Sequence, residues 1–382
     1  MNQPPVTADI VDCTGYGVTK AKIHARHSQA QHLGYNGKAQ LREGLPVDEY
    51  RTLDDASRLA RLEDGAKRAL MAYGLASASL IPLNLENNAV FQVTTGDERY
   101  VLRIHRPGHK PLAWIQAELT WLTALWQNTP LGVPQPVPAQ DGTWVVQATL
   151  PDSDIPLHCV LFHWMAGETR RPNTISLLET EAAGVFLARL HHFAQTYSPP
   201  PEFARPRLDW DGLFGSNSVY NPGAGAALFT ESQNQVFVAV AEEVRRIMVE
   251  LGETPETFGL IHADFLVKNM LFRDGRVYAL DFDECGWGYY LYDLTPALWQ
   301  FKDEPRYAEL RAAYLKGYTS IRPLPETFLK PLEVFLAARH LASIRWIAGN
   351  RDNPAIRERA AGIISARAEL LRRFLDTGRL VE

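Results

Sequence analysis

The segment 260–283 constrains the fold most, because its pattern is that of a short β-hairpin. Apolar residues dominate positions 270–272 and 277–280, and Asp274 and Gly275 lie between these two runs. Short apolar runs separated by Asp-Gly predict two antiparallel strands joined by a tight turn. Such a hairpin brings the chain segments before and after it to the same place.

Three oxygen-bearing side chains flank the predicted hairpin. Asp264 and Asn269 precede its first strand, and Asp281 follows its second strand. Carboxylate and amide oxygens are ligands that Mg²⁺ prefers, and phosphate oxygens complete its shell in many enzymes. The pattern therefore predicts a magnesium–phosphate site. The alternative is that Asp264 and Asn269 only stabilise a turn.

Size, charge and cysteine content exclude several classes of protein. The chain has 382 residues, a formal net charge of -5 and three cysteines. The acidic balance argues against a general nucleic-acid or anionic-membrane partner. No apolar run approaches the roughly 20 residues of a membrane span, and no secretory signal is visible at the N-terminus. Three scattered cysteines do not form a disulfide framework or a zinc site. We therefore expect a cytoplasmic protein.

The pattern changes along the chain in a way that predicts two lobes. Residues 1–50 are expected to be a mobile extension, and the alternative is a lid or a partner-docking arm. Residues 51–165 predict a small sheet that carries one helix, whereas residues 166–382 predict mostly long amphipathic helices. The expected fold class is α+β, with a short connector near 162–167 and a ligand cleft between the lobes.

Local signals place the main elements of both lobes. Capping residues and helical periodicity set the expected helices, and short β-branched or aromatic runs set the strands. The expected helices cover residues 53–73, 112–127, 176–193, 305–317, 326–348 and 355–376. The expected strands of the first lobe cover residues 90–93, 100–104, 144–146 and 159–162.

The hairpin segment resembles the catalytic loop of protein-kinase-like phosphotransferases. Its spacing is His262-x-Asp-x4-Asn, followed by Asp twelve residues later. The match is closest to the aminoglycoside phosphotransferase and choline kinase branch, in which Ala or Gly replaces the Arg of the protein-kinase loop. The run 281–294 is similar to homoserine-kinase-like and stress-response-kinase-like members. The resemblance covers about 55–350 and implies a protein-kinase-like fold with a small β-rich lobe and a large helical lobe.

The resemblance also implies roles for the polar residues of this segment. Asp264 would orient the acceptor hydroxyl and accept its proton, and His262 would order the catalytic loop. Asn269 and Asp281 would hold Mg²⁺ against the phosphates of ATP. Asp283 is either a second metal contact or a polar residue at the strand end.

Residues of the first lobe are expected to bind the nucleotide. Glu118 falls within the apolar stripe of helix 112–127 and needs a partner, and Arg103 on the adjacent strand is the candidate. This pair is similar to the Lys–Glu pair of kinases, with Arg in place of Lys; the alternative is a surface salt bridge. The expected stripe consists of Ile115, Leu119, Leu122 and Trp126.

Two further segments complete the expected nucleotide site. The loop before strand 90–93 contains no glycine, but Asn87 and Asn88 tolerate a positive φ, so a tight phosphate-binding turn is feasible. The backbone of the connector is expected to bind adenine, and for Trp164 and Met165 simple core packing is the alternative. The connector residues are His163, Trp164 and Met165.

The remaining motifs are expected to be structural or to form the acceptor site. Asp293 is expected to bind backbone N–H groups near the catalytic loop, and His191 and His192 are expected to be structural because adjacent helical residues point in different directions. Arginines in the late helices favour an acceptor that carries a carboxylate; the alternative is that most of them lie on solvated helix faces. They are Arg339, Arg345, Arg351, Arg357, Arg359, Arg367, Arg372 and Arg373.

The resemblance, together with these patterns, implies a monomeric or homodimeric enzyme that transfers the γ-phosphoryl group of ATP to a hydroxyl of a small molecule. A hydroxy amino acid or an aminosugar is the expected acceptor. One alternative is a Ser/Thr protein kinase of the stress-response type. Another is an inactive nucleotide-binding scaffold, for which Arg103 and the glycine-free loop are the arguments. A metal hydrolase would need more histidine ligands than this segment offers.

Overall fold

The structure is a computed structural model that describes residues 55–85, 88–108, 110–150, 155–220, 228–350 and 356–381. The extension predicted over residues 1–50 lies outside the described residues, as does Asn87. The described residues form two compact units. The first contains the residues up to Lys110 together with Val137–Phe162, and the second contains Pro111–Pro136 and the residues from His163 onward. The domain limits at 51–165 and 166–382 remain a prediction.

The first unit is an antiparallel sheet covered by one helix. Its elements are α1 (Asp55–Ala72), β1 (Ser79–Asn84), β2 (Ala89–Thr95), β3 (Glu98–Ile104), β4 (Pro136–Val137), β5 (Val146–Thr149) and β6 (Pro156–His163). The sheet order is β1-β2-β3-β6-β4, and β5 pairs with β6. Phe91 pairs with Leu102 across β2 and β3, and both side chains are buried. Along β2, buried residues alternate with half-buried ones, as in a strand with one face on the core.

The second unit is mainly helical. Its first elements are α2 (Leu112–Asn128), α3 (Leu177–Ala194), β7 (Arg207–Leu208), α4 (Trp210–Phe214), α5 (Glu231–Leu251), β8 (Phe258–Ile261), β9 (Met270–Arg273) and β10 (Arg276–Ala279). They are followed by β11 (Gly286–Tyr289), α6 (Tyr290–Asp293), α7 (Thr295–Phe301), α8 (Tyr307–Thr319), α9 (Leu329–Gly349) and α10 (Ala360–Thr377). A sheet-rich unit and a helical unit are what the α+β class requires.

Two sequence expectations need correction. Trp126 was expected in the buried stripe of α2, but 48% of its surface is exposed and Leu125 is buried instead. Both Leu125, three residues after Leu122, and Trp126, four residues after it, lie near the same face of a helix. The structure buries Leu125. The strand expected at 144–146 begins only at Val146, and Trp144 lies outside it.

Helix α5 is the longest described element that the sequence analysis does not predict. It begins at a capping box in which the side chains of Thr230 and Gln233 each bind the other's backbone N–H. It ends at Gly252, which has a φ of +63°. Both signals are local and visible in the sequence, so this helix could have been predicted from the same rules that place the others.

Two glycines allow α3 and α8 to pack in close contact. A Cβ atom on Gly184 of α3 would lie 2.0 Å from the carbonyl oxygen of Tyr314. A Cβ atom on Gly317 of α8 would lie 1.9 Å from the carbonyl oxygen of Glu181. The obstacle in each case is backbone, which cannot move without shifting a helix. These two positions therefore set the distance between the two helices.

Gly184→Ala is expected to destabilise the protein, because the new methyl group separates α3 from α8. Overpacking of this kind costs about 1–3 kcal/mol of unfolding free energy. The control is Gly362→Ala in α10, where an added Cβ meets no atom within 4 Å. Alanine in an open helical position stabilises by roughly 0.5–1 kcal/mol. Chemical denaturation of both variants checks the pair, and equal effects would contradict the close packing.

Candidate active site

The β9–β10 hairpin is present as predicted and carries Asp281 at its end. Phe272 pairs with Val277 in the antiparallel register. The turn residues Asp274 and Gly275 have φ values of +52° and +70°, as a tight hairpin turn of the Asp-Gly type requires. The hairpin is thus fixed by local sequence, and it delivers the residue after Leu280 to a defined position.

The loop that follows β8 has an unusual backbone, and Asp293 holds it. Ala263 has a φ of +66°, which is rare for a residue with a side chain, costs free energy and persists only where the surroundings hold it. The carboxylate of Asp293 accepts the backbone N–H groups of His262 and Ala263 at 2.8 and 2.6 Å. This confirms the structural role that the sequence predicts for Asp293.

The ring of His262 joins the loop to the hairpin. Its Nε2 lies 2.9 Å from the carbonyl oxygen of Leu280, and its Nδ1 accepts the backbone N–H of Asp264 at 3.3 Å. A carbonyl oxygen only accepts, so Nε2 carries the proton. The N–H of Leu280 in turn donates to the carbonyl oxygen of Asn269 at 2.8 Å. These bonds order the loop and place Asp281 beside Asn269.

The carboxylate of Asp264 is held by two side chains. Nδ2 of Asn269 donates to both the carbonyl oxygen and Oδ2 of Asp264, each at 2.9 Å. Nη2 of Arg339 donates to Oδ1 at 2.6 Å, and Nη1 donates to the carbonyl oxygen of Ala263 at 3.2 Å. The Asp264 side chain keeps 18% of its surface exposed. It is therefore oriented and still accessible to a small reactant.

The surroundings of Asp264 favour its ionised form. Burial raises the pKa of the carboxyl, but the nearby charges of Arg339 and Lys268 oppose this, and the pKa lies below its ordinary value. The geometry alone requires the same conclusion, because a guanidinium group at 2.6 Å demands a carboxylate partner. Asp264 is thus ionised at neutral pH.

The residues near the hairpin end fit a hard divalent cation. Asn269 uses its Nδ2 on Asp264, so its Oδ1 remains an acceptor. Asp281 has a φ of +58° and is exposed, in contrast to the buried Asp283. One amide oxygen and one accessible carboxylate, together with phosphate oxygens, form a donor set that suits Mg²⁺ or Ca²⁺. The metal roles of all three residues remain predictions.

Arg205 fixes the turn after Asp281, and the sequence analysis did not identify it. It is buried, and its Nη2 and Nε donate to the carbonyl oxygens of Asp283 and Cys285 at 2.7 and 2.6 Å. Its Nη1 donates to the carbonyl oxygen of Trp114 at 2.8 Å. One guanidinium group thus ties the turn to β7 and α2. No local pattern around Arg205 signals this role.

The predicted nucleotide residues are spread over both compact units. Arg103 lies on β3 with its guanidinium 5.1 Å from the Phe162 ring centre, and Glu118 lies on α2. The Arg103–Glu118 pair would join residues of the two units and remains a prediction. Asn88 is buried and its Oδ1 accepts the N–H of Arg106 at 3.4 Å. In the connector His163 is exposed, and Trp164 and Met165 are half-buried.

Among the described late arginines, Arg339 is the one that contacts Asp264. Several others bind backbone or side-chain oxygens of their own neighbourhood: Arg345 donates to Phe214, Arg367 to Ser343 and Arg373 to Leu380. The late arginines as a group therefore give no support to a carboxylate-binding acceptor pocket.

Arg339→Met is expected to shift the acid limb of the kcat/KM profile to higher pH. Arg339 favours the ionised form of Asp264, so its removal raises the pKa of that carboxyl, and more acid-side activity is lost. Arg345→Met, on the same helix, is the control that leaves the limb in place. A limb that stays in place in Arg339→Met, or moves to lower pH, would show that Asp264 is not the titrating group.

The fold is that of a protein-kinase-like phosphotransferase, and comparison with known proteins gives the family of the chain. The sequence profile of the phosphotransferase enzyme family (APH) matches residues 77–327, which is more than half of the chain. The chain belongs to this family. The family acts as ATP-dependent phosphotransferases on hydroxyl acceptors, with a divalent metal ion. This confirms the predicted α+β kinase-like fold and the enzyme class.

Three relatives illustrate the range of the family. The solved structure of a microcompartment-associated aminopropanol kinase is 30% identical, with a TM-score of 0.74 over 83% of this chain and 99% of that chain. An amicoumacin kinase in complex with AMP-PNP and Ca²⁺ is 20% identical, with a TM-score of 0.69 over 86% and 98%. Stress response kinase A of Salmonella choleraesuis (strain SC-B67) is 25% identical over 290 residues, 75% of this chain and 83% of that protein.

No helix in the described ranges is both long enough and apolar enough to cross a lipid bilayer.

Proposed function

We propose that this enzyme transfers the γ-phosphoryl group of Mg-ATP to a hydroxyl group of a small molecule, with Asp264 as the proton acceptor. The observation that carries the proposal is the state of Asp264. Its carboxylate is oriented by Asn269 and Arg339, is ionised, and is accessible. A fixed, ionised carboxylate at the end of a strand is what orienting a hydroxyl nucleophile requires.

Each residue of the loop has a defined task in this proposal. Asp264 accepts a hydrogen bond from the acceptor hydroxyl and takes its proton as the acceptor oxygen bonds to the γ-phosphorus and the bond to the leaving ADP breaks. Arg339 and Asn269 keep the carboxylate oriented, and holding it in the reactive geometry raises the rate of transfer. Asn269 and Asp281 would hold Mg²⁺, which neutralises phosphate charge when bound. His262 joins the loop to the hairpin and takes no part in proton transfer, because both of its ring nitrogens are engaged.

An amino alcohol is the acceptor class that the comparisons favour, because a microcompartment-associated aminopropanol kinase is 30% identical to this chain. A hydroxy amino acid or an aminosugar also carries an amine and a hydroxyl and belongs in the test.

A second candidate is phosphorylation of Ser or Thr in proteins. The relative from Salmonella choleraesuis carries the name of a stress response kinase. A related chain from Salmonella typhimurium (strain LT2) is named a serine/threonine protein kinase and is 24% identical over 290 residues, 75% of this chain and 83% of that protein. These names favour a protein acceptor, and the chemistry at Asp264 is the same for both acceptors.

The test is transfer of label from γ-labelled ATP in the presence of Mg²⁺. A panel of amino alcohols, hydroxy amino acids and aminosugars is offered beside a pooled metabolite extract and a protein extract. Label in small molecules, highest with an amino alcohol, supports the proposal. Label only in protein supports the second candidate. No transfer to any acceptor, with nucleotide still bound, would overturn both and favour a scaffold.

A further inference from the structure

A buried chain of hydrogen bonds leads away from the catalytic loop. Asp293, which holds the N–H groups of His262 and Ala263, also accepts a hydrogen bond from Nε2 of His191 at 3.0 Å. His191 lies on α3 and is fully buried. Its Nδ1 lies 3.0 Å from the hydroxyl of Tyr318 on α8. The chain thus connects the loop to two helices that lie outside the site.

Arg322, at the end of this hydrogen-bond chain farthest from the catalytic loop, fixes the proton positions in it. Nη1 of Arg322 donates to the Tyr318 oxygen at 3.2 Å, so the tyrosine proton points at Nδ1 of His191. The proton of His191 then lies on Nε2 and is donated to Asp293. Burial lowers the pKa of His191, although Asp293 opposes this, and burial raises the pKa of Tyr318, so both groups are neutral. Every member has a partner in this arrangement.

The outer end of the chain is itself anchored. Nη2 of Arg322 donates to the carbonyl oxygen of Glu256 at 3.0 Å, and the guanidinium lies 4.2 Å from the ring centre of Tyr290. Arg322 is buried. A buried guanidinium with two hydrogen bonds and an aromatic face has little freedom to move, because losing these partners would leave a buried charge uncompensated.

The close packing of α3 and α8 explains how Tyr318 reaches His191. Gly184 and Gly317 let the two helices approach at backbone distance, as described above. A Cβ atom on Gly184 would lie 2.8 Å from the backbone nitrogen of Tyr318, so Tyr318 lies at the contact between the two helices. The orientation of His191 therefore depends on helix packing as well as on Asp293.

We propose that Tyr318 and Arg322 are positioning residues for the catalytic loop, acting through His191 and Asp293. The left-handed backbone at Ala263 needs the Asp293 carboxylate in one orientation, and the chain from Arg322 fixes that orientation. Tyr318 and Arg322 act on the loop only through these intermediate groups. The effect on turnover rests on the function proposed above, whereas the effect on the loop does not.

The test compares Tyr318→Phe with Tyr314→Phe in the full chain. Tyr314 lies one turn earlier on α8, and its buried hydroxyl has no hydrogen-bond partner among the described residues. Amide hydrogen exchange of residues 262–264 is expected to become about tenfold faster in Tyr318→Phe, because the Asp293 acceptor is less firmly held. Turnover is expected to fall by about tenfold with KM for ATP changed by less than about twofold. Tyr314→Phe is expected to match the wild type in all three.

His191 variants separate positioning from general loss of stability. His191→Gln keeps an N–H group for Asp293. Amide hydrogen exchange of the catalytic loop is therefore expected to be slower in His191→Gln than in His191→Leu. Where Tyr318→Phe is partly unfolded at the assay temperature, Arg322→Gln replaces it. Equal exchange and equal turnover in the Tyr318 and Tyr314 variants would overturn the inference. If the wild type transfers no phosphate but loop exchange still differs between the Tyr318 and Tyr314 variants, only the proposed function is overturned.

Discussion

Asp264→Asn is expected to lower phosphoryl transfer by roughly 10²–10⁴-fold, the range that loss of a general base causes. The amide keeps the size of the carboxylate but cannot take the proton of the acceptor hydroxyl. Binding of ATP is expected to persist, because Asp281 and the first unit are unchanged. Steady-state turnover and a nucleotide-binding titration on the same preparation measure both quantities.

Asp274→Asn is the matched control for this variant. This variant makes the same change of side chain at the exposed hairpin turn. The φ of +52° at Asp274 is one that Asn adopts readily. It is expected to leave turnover at the wild-type level. Turnover within a fewfold of wild type in Asp264→Asn would show that another group takes the proton. Loss of nucleotide binding there would show that the carboxylate serves the metal instead.

Asp281→Asn is expected to remove most of the effect of Mg²⁺ on nucleotide affinity. The variant keeps an oxygen and tolerates the φ of +58°, so the hairpin end is preserved while the ligand loses its charge. Nucleotide affinity with Mg²⁺ is expected to fall about tenfold or more, and affinity without Mg²⁺ to stay unchanged. Turnover is expected to fall by roughly 10²-fold, since the phosphate charge is less well neutralised.

Calorimetric titration of a non-hydrolysable ATP analogue, with and without Mg²⁺, checks this expectation. Asp274→Asn again serves as the control, because it makes the same change at another residue with positive φ in the same hairpin. An unchanged response to Mg²⁺ in Asp281→Asn would place the metal at other residues, and Asp283 would be the next to vary.

The parts of the site that follow from the sequence are those set by local signals. The Asp274-Gly275 turn determines the hairpin and hence the position of Asp281. Helix α5, which was not predicted, also has local capping signals. Asp293 could be placed at the catalytic loop from the family resemblance, and the backbone bonds to His262 and Ala263 agree with that.

The parts that did not follow depend on contacts between distant segments. Arg339 is 75 residues from Asp264 in the chain, and Arg205 is 78 residues from Asp283. Nothing near either arginine distinguishes it from the arginines of exposed helix faces. The same holds for the chain from Tyr318 to Asp293, since it exists only when α3 and α8 pack. Such partners require a three-dimensional structure, because helix periodicity gives a face but not its neighbour.

The most direct test of the site is a crystal structure of the protein with Mn²⁺ and a non-hydrolysable ATP analogue, using the anomalous signal of the metal. We expect an anomalous peak about 2 Å from Oδ1 of Asn269 and from a carboxylate oxygen of Asp281, the distance of a small divalent cation from its oxygen ligands. Asp264 is expected to remain bound to Arg339 and to face the terminal phosphate. A metal ion coordinated by Asp264, or bound away from both Asn269 and Asp281, would contradict the assignment of the active site.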